Sequence, residues 1–403
     1  MLKWLFLFSL PFKLCALWFL VTSLFFPFFR EKREKRAPKT RFACLIPARN
    51  EESVVAVPVK SLLKQAYPPE LFDVFVIPNN CTDKTESAAL AAGARILACR
   101  GPVRYKGDAL REAVGALLGA DYDAFCVFDA DNAVSPGFLA AMNDALLSGA
   151  QVAKAAMRAK NPYASWVSGC YALYYGLFDG FYNRSRAAVG LSAKLVGTGF
   201  AVSRDFLVKL GGWPTETMAE DAEFAAVCAG RGERVVWVPE AVTYDEAPVS
   251  FGVSLTQRRR WVSGIMDAAE REVPRLLRAL PEKNAARVLD ALFFLCAPFM
   301  QALSVVPALL TLSLSLSGGG ARPLAAFAVW WASSAGAALL SALVSGLRGR
   351  RIAASVLLFP VFTASWLPLQ ILSAVRRATV WREIAHGANS AKQPEGAGSA
   401  PAP

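Results

Sequence analysis

Two aspartates two residues apart, Asp129 and Asp131, follow the apolar run Phe125-Cys126-Val127-Phe128 and precede a helical pattern. At the end of a strand, that spacing points both carboxylates the same way. Paired oxygen ligands suit Mg²⁺ or Mn²⁺, which keep coordination positions for phosphates and neutralise charge on a departing diphosphate. A lone pair of this kind is equally an acidic turn; the strand before it and the helix after it favour the metal. Further on, Gln257, Arg260 and Trp261 stand at i, i+3 and i+4 on one helix face, with Arg258 and Arg259 directed elsewhere. A guanidinium meets phosphate oxygens bidentately, although an interfacial basic-aromatic helix would have the same pattern.

Between these two groups, Thr217-Met218-Ala219-Glu220 has the form of a capping box. Thr217 is the expected N-cap and Glu220 the residue reaching back, which leaves Asp221 free. Ile46-Pro47-Ala48-Arg49-Asn50-Glu51-Glu52 closes one strand and opens a helix, where an acidic first turn is favoured in any case. In Asn79-Asn80-Cys81-Thr82-Asp83, the last two residues either bind a ligand or cap the next helix; Asn79 can both donate and accept. Lys106-Gly107 opens another helix, and its ammonium is either set beside a phosphate or solvated. Gly197-Thr198-Gly199 lies in an expected strand, where glycine marks close approach of a ligand or another backbone.

The elements that must position these residues are short β-rich runs alternating with helical stretches. Phe42–Ala48, Phe72–Pro78, Ile96–Cys99, Ala124–Asp129 and Val152–Met157 are the expected strands, with helices near 51–65, 84–92, 106–118 and 136–147. This alternation predicts an α/β fold with a mostly parallel sheet, whose ligands bind at the carboxyl ends of the strands.

Hydrophobic residues make up 54% of the 403 and mean hydropathy is +0.34, too apolar for a purely soluble chain. The excess falls at 4–29 and in three segments without charged residues, 291–317, 323–345 and 352–374. The first run is long enough to cross a bilayer core of about 30 Å, although Lys13 must snorkel or lie at the interface. No cleavage site follows it, so a signal anchor is expected. Arg30, Lys32, Arg33, Lys35, Arg36, Lys39 and Arg41 crowd its exit. The net charge of +12 therefore reads as positive-inside topology and not as nucleic-acid binding. Arg376, Arg377 and Arg382 favour the same side, whereas three crossing segments would put them opposite; Pro360 and Pro368 leave open that 352–374 re-enters. Eight cysteines without a C-x-x-C pair suggest neither zinc nor disulfides. His386 is the only histidine, which excludes Ser-His-Asp hydrolysis.

Taken in order, Ile46-to-Glu52, Asn79-to-Thr85, Asp129-Ala130-Asp131, Glu220-Asp221 and Gln257-to-Trp261 resemble the motifs of membrane-integrated inverting family 2 glycosyltransferases, the group of cellulose, chitin, hyaluronan and poly-N-acetylglucosamine synthases. The likeness covers about 41–275 and the plan of flanking spans. It implies a GT-A (Rossmann-like) glycosyltransferase domain at 41–280 on the cytosolic side of the plasma (inner) membrane. A membrane anchor at 1–30, a transmembrane region at 288–375 and a disordered tail at 388–403 complete the expected domains. It further implies a UDP-sugar donor held by Pro47, Glu51, Asn79 (the family usually has Asp), Asp83, Lys106, Asp129 and Arg260. Asp129 and Asp131 would hold Mg²⁺ or Mn²⁺. Asp221 would be the general base, although Ala219 stands where the family has Thr. Gly199, Glu220, Gln257 and Trp261 would border the acceptor. The expected reaction is inverting transfer to a growing β-linked polysaccharide; the alternative is transfer of one sugar to a membrane lipid. Three or four spans hardly enclose a polymer channel without an oligomer or an export partner. A transporter is disfavoured, since the three C-terminal segments lack ionisable residues.

Overall fold

The computed structural model describes residues 2–30, 33–317 and 322–378. Lys32, Arg382, His386 and the tail expected at 388–403 lie outside the described residues. Among the described residues, eight strands form one sheet: β1 Phe42–Ala48, β2 Phe72–Pro78, β3 Arg95–Ile96, β4 Ala124–Val127, β5 Ala133–Val134, β6 Val152–Ala159, β7 Phe200–Ser203 and β8 Val235–Asp245. Their order is β3-β2-β1-β4-β7-β6-β8-β5.

Strand β1 pairs in parallel with β2 and β4, register Phe42 to Phe72 and Phe42 to Ala124. Beyond β4 the sheet becomes mixed. β7 is antiparallel to both β4 and β6, β6 and β8 are parallel, and β5 closes the far edge antiparallel. The sheet expected to be mostly parallel is wholly so on the β3-β2-β1-β4 side, and beyond it only the β6–β8 pair is parallel. β1 is buried on both faces, with Phe42, Cys44 and Ile46 in one apolar layer and Ala43 and Leu45 in the other. Helices cover both sides, which is why the strand reads as a continuous apolar run.

Among the described residues, four helices are long and apolar enough to cross a membrane: Ser9–Phe28, Ala285–Leu310, Pro323–Val344 and Arg350–Val375. The last is two helices, Arg350–Ala364 and Trp366–Val375, which meet at Ser365. The second span starts before 291 and so takes in Arg287 and Asp290, ahead of the charge-free segment 291–317. Asp290 is held bidentately by Arg186, Nε and Nη2 each at 2.9 Å, and accepts from Trp18 Nε1 of the first span at 2.7 Å. Arg186 is fully buried, with its guanidinium 3.4 Å from the Tyr182 ring centroid. Part of the basic run after the first span also bonds to the sheet domain: Arg33 donates to Trp237 O at 2.6 Å and pairs with Glu240 at 3.4 Å.

Candidate active site

The carboxyl ends of β1, β2 and β4 open onto a cavity of about 1710 Å³, lined among others by Pro47, Glu51, Asn79, Lys106, Asp129, Asp131, Gly197, Glu220, Asp221, Gln257, Arg260 and Trp261. Residues far apart in sequence therefore share one space. Asp129 and Asp131 lie in the turn beyond β4, which ends at Val127, and not on the strand itself. Thr198 Oγ1 accepts from Asp129 N at 3.2 Å, and Asn132 Nδ2 donates to Asp245 at 3.0 Å, bracing that turn.

Lys106 opens the helix Lys106–Leu117. Its ammonium lies 2.5 Å from Asp129 Oδ1 and 3.3 Å from Glu220 Oε1, and also donates to Gly197 O. Burial alone would lower its pKa; Asp129 and then Glu220 outweigh that and raise it. The solvated-lysine alternative is thereby excluded. Burial, with the neighbouring Asp221 and Asp129 adding to it, raises Glu220 to about 8 against the pull of Lys106.

The helix after the Thr-x-x-Glu sequence starts at Glu220 with Ala219 as its N-cap, so Thr217 is not the cap. The carboxylate reaching back is Glu223, which accepts from Glu216 N at 2.9 Å and Thr217 N at 2.7 Å. Glu220 is thus released from the capping role expected of it and turns to Lys106. Asp221 accepts from Ala222 N at 2.8 Å; burial raises its pKa against the opposing pull of that N–H, Lys106 and Lys194.

Gln257, Arg260 and Trp261 share the cavity face of the helix Phe251–Ala279. Gln257 accepts from Tyr171 OH at 3.2 Å. Arg258 points away as expected: it is fully buried, donates to Phe362 O at 2.9 Å and lies over the Phe362 and Trp366 rings. Arg259 donates to Arg376 O at 3.2 Å. One turn beyond Arg260, Gly264 packs so closely that a Cβ would meet Ala219 N at 2.8 Å.

Two expected residues face elsewhere. Asp83 accepts from Glu52 N, Thr85 N and Thr85 Oγ1, and so fastens the two helix starts together. Gly199 has φ +65°, and a Cβ there would lie 2.6 Å from Thr243 Cγ2. Its carbonyl accepts from Ala155 N at 2.8 Å; the close approach is to a neighbouring strand and not to an acceptor. Asn79 lines the cavity, but its amide donates to Ala48 O at 3.0 Å and its oxygen accepts from Arg49 Nε at 2.9 Å.

The cavity does not stop at the sheet domain. Its wall continues along Phe12 and Phe19 of the first span, Gln301 of the second, and Trp366 and Gln370 of the last. Trp261 and Trp366 stack at 6.3 Å, and Trp366 and Tyr174 at 6.1 Å. Lys154, Lys194, Asp179 and Asp245, none singled out by a motif, also line it. Burial lowers Lys154 to about 8 and raises Asp245 to about 6.

Among the described residues no cluster of three His, Cys, Asp or Glu side chains is set to hold a metal. Asp129 and Asp131 fit a hard divalent ion in another way. Two carboxylates on a cavity wall leave the remaining positions to phosphate oxygens and water, as Mg²⁺ commonly binds.

A family model described as "Glycosyltransferase like family 2" matches residues 38–264, more than half of the chain. Among curated proteins, the probable glycosyltransferase YdaM of Bacillus subtilis is 29% identical over 244 residues, 58% of this chain and 57% of its own. The beta-monoglucosyldiacylglycerol synthase of Nostoc sp. is 30% identical over 232 residues, 55% of this chain and 48% of its own. The chain thus spans about half the length of the curated relatives it matches. Among solved structures, the mannosyltransferase PcManGT from Pyrobaculum calidifontis, in complex with GDP-Man and Mn²⁺, superposes with a TM-score of 0.59. That match is 18% identical and covers 89% of this chain and 96% of that one, a likeness of fold. The fold is GT-A, as the motifs led us to expect.

Proposed function

Because this chain belongs to glycosyltransferase family 2, we propose that it transfers a sugar, with inversion, from a nucleoside-diphosphate sugar to a hydroxyl of a membrane lipid. The observation that carries this reading is the continuity of the cavity wall from Asp129, Asp131 and Asp221 to Phe12, Phe19 and Trp366 on the spans. A lipid headgroup can reach the carboxylates along that wall while its chains stay among the apolar helices.

In this reading Asp221 removes the proton from the acceptor hydroxyl. The oxygen bonds to the anomeric carbon from the face opposite the leaving group, and the bond from that carbon to the diphosphate oxygen breaks. Arg260 and Lys106 stabilise the diphosphate as its charge develops. Mg²⁺ or Mn²⁺ at Asp129 and Asp131, when bound, would neutralise part of the same charge. Pro47, Glu51, Asn79 and Arg49 shape the nucleoside end. A UDP-sugar is the donor we favour, on the strength of the motif series; the base-side Asn79 and Arg49 make GDP-sugars the necessary control.

The test incubates the purified protein in nanodiscs with a total lipid extract and labelled UDP-glucose, UDP-N-acetylglucosamine, UDP-galactose or GDP-mannose. A single labelled glycolipid in the organic phase is the expected product. A second reading, β-linked polymer synthesis, draws on the Trp261–Trp366 wall, since stacked rings accept successive sugars. It predicts an aqueous product that lengthens with time and yields to a β-glycan hydrolase, a result that would replace the lipid reading.

A further inference from the structure

Among the described residues, four lysines line the cavity: Lys106, Lys154, Lys160 and Lys194. The first three donate to oxygens: Lys106 to Asp129, Lys154 to Ala155 O at 2.7 Å, and Lys160 to Asp131 O at 3.3 Å. Lys194 differs. Its ammonium lies 4.1 Å from the Phe178 ring centroid and 4.8 Å from that of Phe294. Among the described residues no carboxylate comes within ion-pair distance of it.

The two rings show where this cation stands. Phe178 begins a π-helical turn, Phe178–Asn183, on the face of the sheet domain against the first span. Phe294 belongs to the span Ala285–Leu310. The ammonium therefore sits at the seam between domain and spans, close enough to Asp221 for each to perturb the other. The position is built and not incidental. Lys194 N donates to Asn183 Oδ1 at 2.9 Å, and Asn183 Nδ2 donates to Asp179 Oδ1 at 3.0 Å, fixing the backbone that carries the side chain. Ring faces attract a cation without neutralising it, and burial lowers Lys194 to about 8. An anion beside it gains a charge-assisted hydrogen bond that a neutral group does not.

We propose that Lys194 binds an anionic phosphate that the acceptor carries next to its reacting hydroxyl, so that the acceptor is a phosphate-bearing membrane lipid. This rests on the lipid-acceptor reading above. With the hydroxyl at Asp221 and the phosphate at Lys194, the chains run along Phe19 and Phe294. The acceptor thereby differs from the neutral diacylglycerol in the name of the Nostoc relative.

The test compares phosphatidylglycerol with diacylglycerol, at equal mole fraction in nanodiscs, for the wild type, Lys194→Met and Lys194→Arg. The wild type should favour phosphatidylglycerol in kcat/KM on the order of tenfold, the scale of one hydrogen bond to a charged group. Lys194→Met should bring the two lipids level, through KM for phosphatidylglycerol, and Lys194→Arg should restore most of the preference. Titration of short-chain phosphatidylglycerol, read by tryptophan fluorescence, should weaken in Lys194→Met by the same factor. Equal losses on both lipids would make Lys194 a structural residue and overturn the proposal, as would a wild-type preference for diacylglycerol. Glycerol 3-phosphate accepting as well as the lipid would keep the phosphate and overturn its lipid source. If no lipid is glycosylated the lipid reading fails, and a Lys194-independent titration then removes the phosphate site too.

Discussion

Lys106 Nζ stands 2.5 Å from Asp129 Oδ1, so one of the two carboxylates suited to a metal already has a cation on it. Glu220, 3.3 Å from the same ammonium, completes a charge cluster from three separate motifs. Lysine here relieves the repulsion among Asp129, Glu220 and Asp221 and lets an incoming diphosphate compete for its charge. Lys106→Met should therefore weaken donor-diphosphate binding by about 10- to 100-fold, the scale of a lost hydrogen bond to a charged group. Calorimetric titration of UDP in the presence of Mn²⁺ measures it; unchanged affinity would reduce Lys106 to a structural residue.

Asp221→Asn should lower kcat by about 10²- to 10⁴-fold, as removal of a general base does, while UDP binding stays near normal. The pH profile carries the same information. Asp221 accepts a proton only when ionised, and burial raises its pKa. Activity should thus be lost as pH falls through that raised value, placing the acid limb of kcat above the ordinary aspartate pKa of about 4. A limb at or below that value, or loss of nucleotide binding in a folded Asp221→Asn, means the base is another group.

Chelation should abolish transfer, and Mg²⁺ or Mn²⁺ should restore it. Asp131→Ala should lower metal affinity at least tenfold, because it removes one of the two carboxylates proposed to share the ion. Initial rates against free metal concentration decide the point. Full turnover in excess chelator would remove the metal from the reaction.

Gly264→Ala places a methyl where Ala219 N lies 2.8 Å away, and backbone at that distance must move. The turn displaced is the one that delivers Glu220 and Asp221. A misplacement of this size can cost on the order of 100-fold in rate, while overpacking costs about 1–3 kcal/mol of stability. A large fall in kcat with a thermal midpoint within several degrees of wild type is the expected pair of results.

The sequence disclosed most where local periodicity decides the outcome. The shared face of Gln257, Arg260 and Trp261 follows from helix geometry alone, and so does the exclusion of Arg258 and Arg259. It misled where two registers compete. Thr217-x-x-Glu220 fits a capping box, but the N-cap is Ala219, two residues later, and Glu223 does the reaching back. Asp83 and Gly199 have the residue types of a binding loop, yet their partners, Thr85 and Thr243, assign them to the scaffold. β5 and β8 were not expected, and the strand expected at Gly197-Thr198-Gly199 starts only at Phe200 as β7, because pairing with distant strands sets those bounds. Lys194 was invisible for a related reason: one lysine in Leu191-to-Val196 gains meaning only once Phe294, a hundred residues on, is packed over it.

The bond from Arg186 and Trp18 to Asp290 bears on how this protein can be handled at the bench. Arg186 belongs to the sheet domain, and its counter-charge sits on a span. A fragment of residues 41–280, made to obtain a soluble catalytic piece, would keep the guanidinium and discard the carboxylate. Removing one partner of a buried ion pair costs about 3–5 kcal/mol, a large share of a typical domain's stability. Solubility is therefore to be sought with detergent or nanodiscs around the whole chain, because the saw-cut through the linker also severs a structural ion pair.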